Sequence, residues 1–190
     1  MPPKARISKE MILDTVLGLT REDGFDTVNA RRIADRMNCS TQPIFTCYEN
    51  MEELKRDFLE FAFDFYQQYV ADYEKSSWVE PYLILPLSYL QFAREETFLF
   101  RLLFISDMDL RMAQPKDFYR EVGNEKKAQV FSEQLGVRLE DGKEIFLDLF
   151  LYTHGMAVLT ATGKLFLEEN SQEKMVRGLL SALVKEKEKA

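Results

Sequence analysis

The chain has 190 residues, of which 46% are hydrophobic and 13% aromatic, which is enough for a buried core and excludes a disordered chain. Its net charge of −7 is unevenly distributed: residues 1–56 carry nine basic and nine acidic residues, so the excess of acid lies in residues 57–190. This distribution argues against a protein that wraps nucleic acid over its whole surface, because only residues 1–56 are free of excess negative charge.

The first predicted element is an amphipathic helix. Ser8 is a suitable N-cap, apolar residues then recur at helical spacing to about Glu22, and Gly24 ends the helix. We expect this helix to brace the two short helices that follow, because helices of about two turns are not stable alone.

Two short helices are predicted over residues 29–48. Asn29 is a plausible N-cap for the first of them. Ser40 is a plausible N-cap for the second, which runs from Thr41 to about Cys47. A turn of three or four residues between them predicts a helix-turn-helix, the motif that places its second helix in the DNA major groove.

The exposed positions of the second short helix suit base reading. We expect them to be Thr41, Gln42, Phe45 and Thr46. A glutamine amide can pair with an adenine edge, and threonine and phenylalanine can contact a thymine methyl group. The alternative is that three amphipathic helices here only form a small core.

Residues 8–58 resemble the DNA-binding region of the tetracycline-repressor (TetR) family. The resemblance rests on the pair Gly24–Phe25, the segment Asn29 to Ala34 with its Ile-Ala pair, the serine-led second helix, and the stretch Glu52 to Leu54. It covers about a quarter of the chain, and it implies an all-α fold. By this resemblance residues 1–50 form a three-helix DNA-binding domain and residues 51–190 a helical domain for regulation, ligand binding and dimerisation.

The resemblance and the exposed positions together name the candidate DNA-binding residues. These are Asn29, Arg31, Ser40, Thr41, Gln42, Pro43, Phe45, Thr46, Tyr48 and Lys55. Family members usually carry tyrosine at the position of Phe45 and often lysine at that of Met51, and neither residue found here can donate a hydrogen bond to phosphate. We expect Lys4 and Arg6, with Thr46, Tyr48 and Lys55, to compensate.

The rest of the chain is predicted to be helical. The expected helices cover residues 50–73, 81–95, 97–107, 116–134 and 143–163, and a last helix begins at a cap on Asn170. The final two resemble the paired helices that build the TetR-family dimer, which implies the interface Phe150, His154, Ala157, Val158, Ala161, Val176, Leu179, Leu180 and Leu183. The alternative is that both helices pack only against their own chain.

The helical body of the family encloses a small-molecule pocket. By resemblance, an apolar or aromatic effector would lie among Phe65, Tyr69, Tyr89, Phe92, Phe104 and Tyr152. Each of these aromatic side chains also fits a plain core position, because the stripes that carry them have helical spacing.

Catalytic and metal chemistry find no support in the sequence. His154 is the single histidine, the cysteines Cys39 and Cys47 have no metal-ligand spacing, and there is no phosphate loop or nucleophile motif. We therefore expect no enzyme activity, no catalytic residue, no metal and no cofactor. No signal sequence is recognised, and the uninterrupted apolar runs are short, so a cytoplasmic location and no membrane partner are expected.

These observations predict a ligand-responsive transcriptional regulator. It is most simply a repressor that binds a palindromic double-stranded operator as a homodimer and is released by a small apolar or aromatic effector of unknown identity. Two other classes remain open: a helical protein-interaction adaptor, and a small-molecule-binding protein without DNA binding.

Overall fold

The chain folds into helices and the loops between them. The computed structural model describes residues 7–121 and 123–189, and this part of the chain contains no strand. The predicted all-α class is therefore confirmed. The α-helices are α1 (Lys9–Asp23), α2 (Ala30–Arg36), α3 (Gln42–Cys47), α4 (Met51–Ser76), α5 (Pro81–Glu95), α6 (Thr97–Arg101), α7 (Asn124–Leu135), α8 (Leu139–Ala161) and α9 (Glu169–Lys187).

The helices group into two compact units. The first unit contains the described residues up to 68 together with residues 96–107, and the second contains residues 69–95 and the described residues from 108 onward. Helix α4 has residues in both units, and the chain returns to the first unit between α5 and α6. The predicted boundary at residue 50 between a DNA-binding and a regulatory domain stays a prediction, because the division into compact units does not show what each unit does.

The first unit is built around one face of α1. Ser8 caps this helix as predicted, because its Oγ accepts a hydrogen bond from the Met11 amide at 3.2 Å. Gly24 ends the helix with a φ of +85°, a conformation that favours glycine. The core side chains of this unit that are almost fully buried include Ile12, Val16, Leu19, Ile33, Ile44, Leu54 and Phe58.

Helix α1 is also fastened to α6. The guanidinium of Arg21 donates two hydrogen bonds, of 2.7 and 2.6 Å, to the carboxylate of Glu96, which is mostly buried. A Cβ placed on Gly24 would come within 3.1 Å of the Phe98 ring, so the end of α1 and the start of α6 are closely packed.

Two predicted N-caps, Ser40 and Asn170, do not cap their helices. Helix α3 begins at Gln42 with Thr41 as its N-cap, so Ser40 does not cap it. Thr41 already has helical backbone angles, and its side chain makes no cap hydrogen bond, so the chain enters α3 without the expected serine. Asn170 lies inside α9, which begins at Glu169 after the N-cap Glu168. Helix α6 begins at Thr97, the first residue predicted for it, after the N-cap Glu96.

Two predicted helices are interrupted. The helix expected over residues 97–107 ends as α-helix at Arg101 and continues as one π-turn, Leu102–Ser106, in which Ile105 is exposed. The helix expected over residues 116–134 is divided into a 3-10 turn, Pro115–Arg120, and α7. Gly123, with a φ of +90°, changes the chain direction between them.

In the second unit, α7 and α8 pack unusually closely where Gly142 meets Ser132. A Cβ on Gly142 would lie 1.9 Å from Ser132 Oγ and 3.1 Å from its Cα. The serine cannot easily turn away, because it is buried and its hydroxyl donates a 2.6 Å hydrogen bond to the Ala128 carbonyl. The missing side chain at residue 142 is therefore a requirement of this helix pair.

We predict that Gly142→Ala lowers the free energy of unfolding by about 1 to 3 kcal/mol, the usual cost of overpacking a core. The matched control is Gly18→Ala in the interior of α1, where the nearest atom lies 3.9 Å from the added Cβ. That variant should gain up to about 1 kcal/mol through helix propensity. Denaturant unfolding of both variants checks this, and an unchanged midpoint for Gly142→Ala would contradict the close packing.

Candidate nucleic-acid interface

Helices α2 and α3 are held by local hydrogen bonds. The side-chain oxygen of Asn29 accepts from the amides of Arg31 and Arg32, each at 3.1 Å, so the predicted N-cap of α2 is confirmed. The Asn29 amide group also donates to the Thr27 carbonyl at 3.3 Å. Asn29 is thus exposed, but both ends of its side chain are engaged within the chain.

The turn between α2 and α3 depends on Asn38. Its φ of +50° is in the left-handed region, which asparagine tolerates better than most residues. The next amide, that of Cys39, then reaches back to the Ala34 carbonyl at 3.0 Å and closes the end of α2. This turn brings the chain to Thr41 and the start of α3.

Helix α3 has a buried side and an exposed side. Ile44 is fully buried and Tyr48, four residues later, is only 2% exposed, so both face the core of the first unit. Gln42, Phe45 and Thr46 lie on the exposed side, and half of the Phe45 side chain is accessible. The Thr46 hydroxyl donates a 2.9 Å hydrogen bond to the Gln42 carbonyl, one turn earlier.

Tyr48 was predicted to contact DNA, and this prediction is corrected by its burial. The ammonium of Lys9 lies 4.4 Å from the centre of the Tyr48 ring and 2.9 Å from the Asp57 carboxylate. Burial raises the pKa of Tyr48 to about 12, and its hydroxyl has no hydrogen-bond partner among the described residues. An aromatic ring stabilises more in this core than on the surface, so the side chain points inward.

Two arginines of α2 are paired within the first unit. Arg32 donates to Asp23 at 2.5 Å, and Arg36 makes two hydrogen bonds, of 3.0 and 2.5 Å, to Glu22. The hydrogen bonds to Arg36 lower the pKa of Glu22. Both acids lie at the end of α1, so these cations are directed toward α1.

The cations that remain available are few. Arg31 and Arg56 are exposed, and neither makes an ion pair with any described residue. Lys55, predicted to contact DNA, is half-buried with its ammonium 2.9 Å from Asp107. The sequence reasoning missed Arg56, although its place beside Lys55 in the first half of α4 was a usable signal.

The predicted DNA-binding residues therefore differ in their availability. Those with exposed side chains and no described side-chain partner are Arg31, Ser40, Gln42 and Phe45. Thr41 and Pro43 are half-buried at the start of α3, and Thr46 is exposed with its hydroxyl engaged. The compensating residues Lys4 and Arg6 lie outside the described residues.

The six predicted pocket residues do not share one compact unit. Phe65 and Phe104 belong to the first unit, and Tyr69, Tyr89, Phe92 and Tyr152 belong to the second. Within the second unit the rings of Tyr69 and Phe92 meet edge to face at 5.1 Å. A groove of about 300 Å³ in that unit is lined by α5, α7 and α9 and by none of the six residues.

His154 is held inside the second unit. Its Nδ1 is 2.9 Å from the Tyr89 hydroxyl, and its ring stacks on Phe150 with 5.5 Å between centres. Burial lowers the pKa of His154, so the neutral imidazole is favoured. A packed histidine of this kind was the expectation.

Four of the predicted dimer residues are buried by their own chain. These are Ala157, Ala161, Val176 and Leu180. They cannot meet a second copy without rearrangement, and this part of the predicted interface is corrected: the small side chains pack within the second unit. The outward stripe of α8 instead carries Leu151, Gly155 and Leu159, and that of α9 carries Met175 and Gly178.

Phe150, His154, Val158, Leu179 and Leu183, the other predicted dimer residues, are half-buried. They border the outward stripes on α8 and α9 and remain compatible with an interface edge. The physical reason for the shift is that α8 is apolar on more than one side: Leu149, Met156 and Ala157 pack on their own chain, and Leu151 and Leu159 are left in solvent.

Other chemistries were searched for across the described residues. No group of three or more histidine, cysteine, aspartate or glutamate side chains is arranged to hold a metal ion there. Cys39 and Cys47 are free thiols and half-buried. Helix α8 is long enough and has a high enough mean hydropathy to span a membrane, but the core helices of soluble proteins often meet the same two criteria. The short runs of uninterrupted apolar residues in the sequence had not indicated this.

Comparison with known proteins adds no family to these observations. No protein-family model matches the chain, and no curated protein matches it. The functional argument consequently depends on the surface of the first unit and on the outward stripes of α8 and α9.

We predict that Tyr48→Phe raises the free energy of unfolding by about 1 kcal/mol, because it removes a buried hydroxyl without a partner. Tyr119→Phe is the matched control. It removes a hydroxyl that donates to the Lys143 carbonyl, and should lower stability by about 1 kcal/mol. Thermal unfolding measures both, and a less stable Tyr48→Phe protein would mean that this hydroxyl is bonded in solution.

Proposed function

We propose that the chain is a DNA-binding transcriptional regulator of the TetR type, acting as a homodimer and most simply as a ligand-released repressor. The observation that carries the proposal is the exposed side of α3, where Gln42 and Phe45 stand outward while Ile44 on the other side is buried. Among its described residues, the second unit contains no comparable pair of consecutive short α-helices.

The arrangement of α2 and α3 supports a helix-turn-helix. Helix α2 has seven residues and α3 has six, which is too few for either helix to be stable alone. Two short helices of this kind fit a motif whose second helix keeps one side exposed for contact with DNA. The turn at Asn38 joins them over five residues, and α1, the helix expected to act as brace, packs against α2.

Affinity for the DNA backbone should come from few residues. Arg31 of α2 and Arg56 of α4 are exposed and have no described ion-pair partner, whereas Arg32 and Arg36 are paired with acids of α1. Since each phosphate contact releases counterions, two such contacts per protomer give a dimer a slope of log K against log salt of only about −4. Base contacts then contribute a larger share of the binding energy.

We predict that Arg31→Ala makes this salt dependence shallower by about 2 in a dimer, one contact per protomer. Arg36→Ala is the matched control: it removes a cation from the same helix, but one already held by Glu22. It should leave the slope unchanged. Fluorescence anisotropy with a labelled duplex at four salt concentrations measures the slopes, and equal losses for the two variants would contradict the assignment of Arg31.

Homodimerisation is proposed through the outward stripes of α8 and α9. Leu151 and Leu159 are 50% and 45% exposed and flank Gly155, and Met175 is 40% exposed beside Gly178. A Cβ on either glycine would meet nothing within 4 Å. Glycine in an exposed helix interior costs about 1 kcal/mol relative to alanine, and close approach of a second helix would offset that cost.

A twofold assembly also suits the proposed function. One short recognition helix reads too few base pairs for useful specificity, and a symmetric dimer reads two half-sites about one helical turn apart. A dimer interface on α8 and α9 would be isologous, with the same stripes on both copies.

We predict that Leu159→Glu shifts the protein from dimer to monomer, because a carboxylate would have to be desolvated in the interface. Leu139→Glu is the control: Leu139 is similarly exposed on α8 but lies at its first turn, off the Leu151–Leu159 stripe. Sedimentation velocity reports the masses. A dimer that persists in Leu159→Glu, or a monomeric wild-type chain, would exclude this interface.

Ligand control is proposed by the resemblance to the TetR family. A small apolar or aromatic compound that binds one state of the dimer better than the DNA-binding state would shift the population and release the operator. Helix α4 supports such control, because its 26 residues, about 39 Å long, belong to both units without a break.

The proposal is tested by binding to the DNA upstream of the chain's own gene. Titrations at two salt concentrations, with an unrelated duplex as control, should give tight binding to the first duplex that weakens with salt. Gln42→Ala should reduce the affinity by about 1 to 3 kcal/mol if the amide reads a base. Equal, weak binding to both duplexes would contradict the regulator.

The second candidate is a protein-interaction adaptor that uses the same surface. It is favoured by the shortage of unpaired cations and by the exposed ring of Phe45, since aromatic residues are enriched in protein interfaces. It differs from the regulator in predicting no salt-dependent preference for any duplex.

A further inference from the structure

We propose that Phe45 reads the 5-methyl group of a thymine in the major groove, so that the half-site must contain a thymine at the position facing this ring. The inference rests on the proposed DNA binding and goes beyond it, because it assigns a base and the chemical group that is recognised. It concerns a position where this chain departs from the tyrosine usual in the family it resembles.

The first observation is the exposure of the ring. Half of the Phe45 side chain is accessible, although Ile44 beside it and Tyr48 directly after the helix are almost completely buried. The core of the first unit is therefore filled without it. Phe45 stands on the side of α3 that also carries Gln42 and Thr46.

The second observation is the absence of charged residues from α3. Helix α3 has the sequence QPIFTC and contains no charged residue. The hydroxyl hydrogen of Thr46 is used within the helix, in the 2.9 Å bond to the Gln42 carbonyl, which leaves its methyl group as the outward apolar part. The amide of Gln42 is consequently the main hydrogen-bonding group on this side of α3.

These groups fit one base pair better than the others. A phenylalanine ring cannot donate a hydrogen bond, so it gains nothing from a phosphate oxygen, whereas thymine is the base that presents a methyl group in the major groove. A glutamine amide beside it matches the donor and acceptor of adenine. An apolar ring and an amide on neighbouring turns thus select A·T-containing steps.

The test begins with selection of bound duplexes from a random pool by the full-length protein. Each thymine of the selected half-site is then replaced by uracil, which removes only the 5-methyl group. For the wild-type chain, one thymine in each half-site should prove sensitive, with affinity falling about threefold to tenfold per half-site. The same replacement should have no effect on Phe45→Ala.

The matched control is Phe63→Ala, which truncates a phenylalanine of α4 in the same unit that is 40% exposed. It should keep both the wild-type affinity and the sensitivity to uracil. The melting temperature of Phe45→Ala should equal that of the wild type, because the exposed ring contributes little to the core. An unchanged melting temperature would show that any loss of DNA binding does not come from loss of folding.

The outcomes distinguish the inference from the function on which it rests. Selective binding with no uracil-sensitive position, or a uracil effect that persists in Phe45→Ala, overturns the reading role of Phe45 and leaves the regulator intact. Failure to select any preferred duplex overturns both. A uracil effect that disappears only in Phe45→Ala establishes the contact.

Discussion

The first unit depends on one constraint: α2 and α3 are too short to be helical without support. With seven and six residues they complete few internal hydrogen bonds, so their stability must come from apolar side chains packed against longer helices. Ile33 and Ile44 supply these contacts and are fully buried, as are Ile12 of α1 and Leu54 of α4. The support acts on one side only, which leaves the other side of α3 exposed.

The packing of α2 beside α1 also decides which cations of α2 are available to bind phosphate. Cations of α2 that lie toward α1 meet the acids at its end, so Arg32 and Arg36 contribute to holding the unit together. Such exposed pairs stabilise weakly, usually by less than about 1 kcal/mol, but they occupy groups that would otherwise attract phosphate. A DNA-binding surface formed under these conditions relies more on base edges than on backbone charge.

Much of the helical architecture could be predicted from local signals. The caps at Ser8 and Asn29 and the all-α class follow from residue type and spacing, because an N-cap acts over three residues. The start of α3 could not, since Thr41 enters the helix through its backbone without a side-chain cap.

Tertiary packing decided the features that sequence reasoning missed. The burial of Tyr48 depends on which side of a six-residue helix faces α1, and an aromatic residue suits either side. The pairing of Arg32 and Arg36 depends on where α1 ends. Helix α8 is apolar on more than one side, and periodicity alone could not tell which of its apolar residues pack on their own chain.

The central claim is that the exposed side of α3 is the surface that meets DNA. Hydrogen–deuterium exchange of the full-length protein, with and without a selected duplex, tests it most directly. Our account predicts that DNA slows exchange in residues 38–48 and at Arg31, with little direct protection in α7. Protection confined to the second unit, or no protection in α3 while DNA is bound, would contradict it.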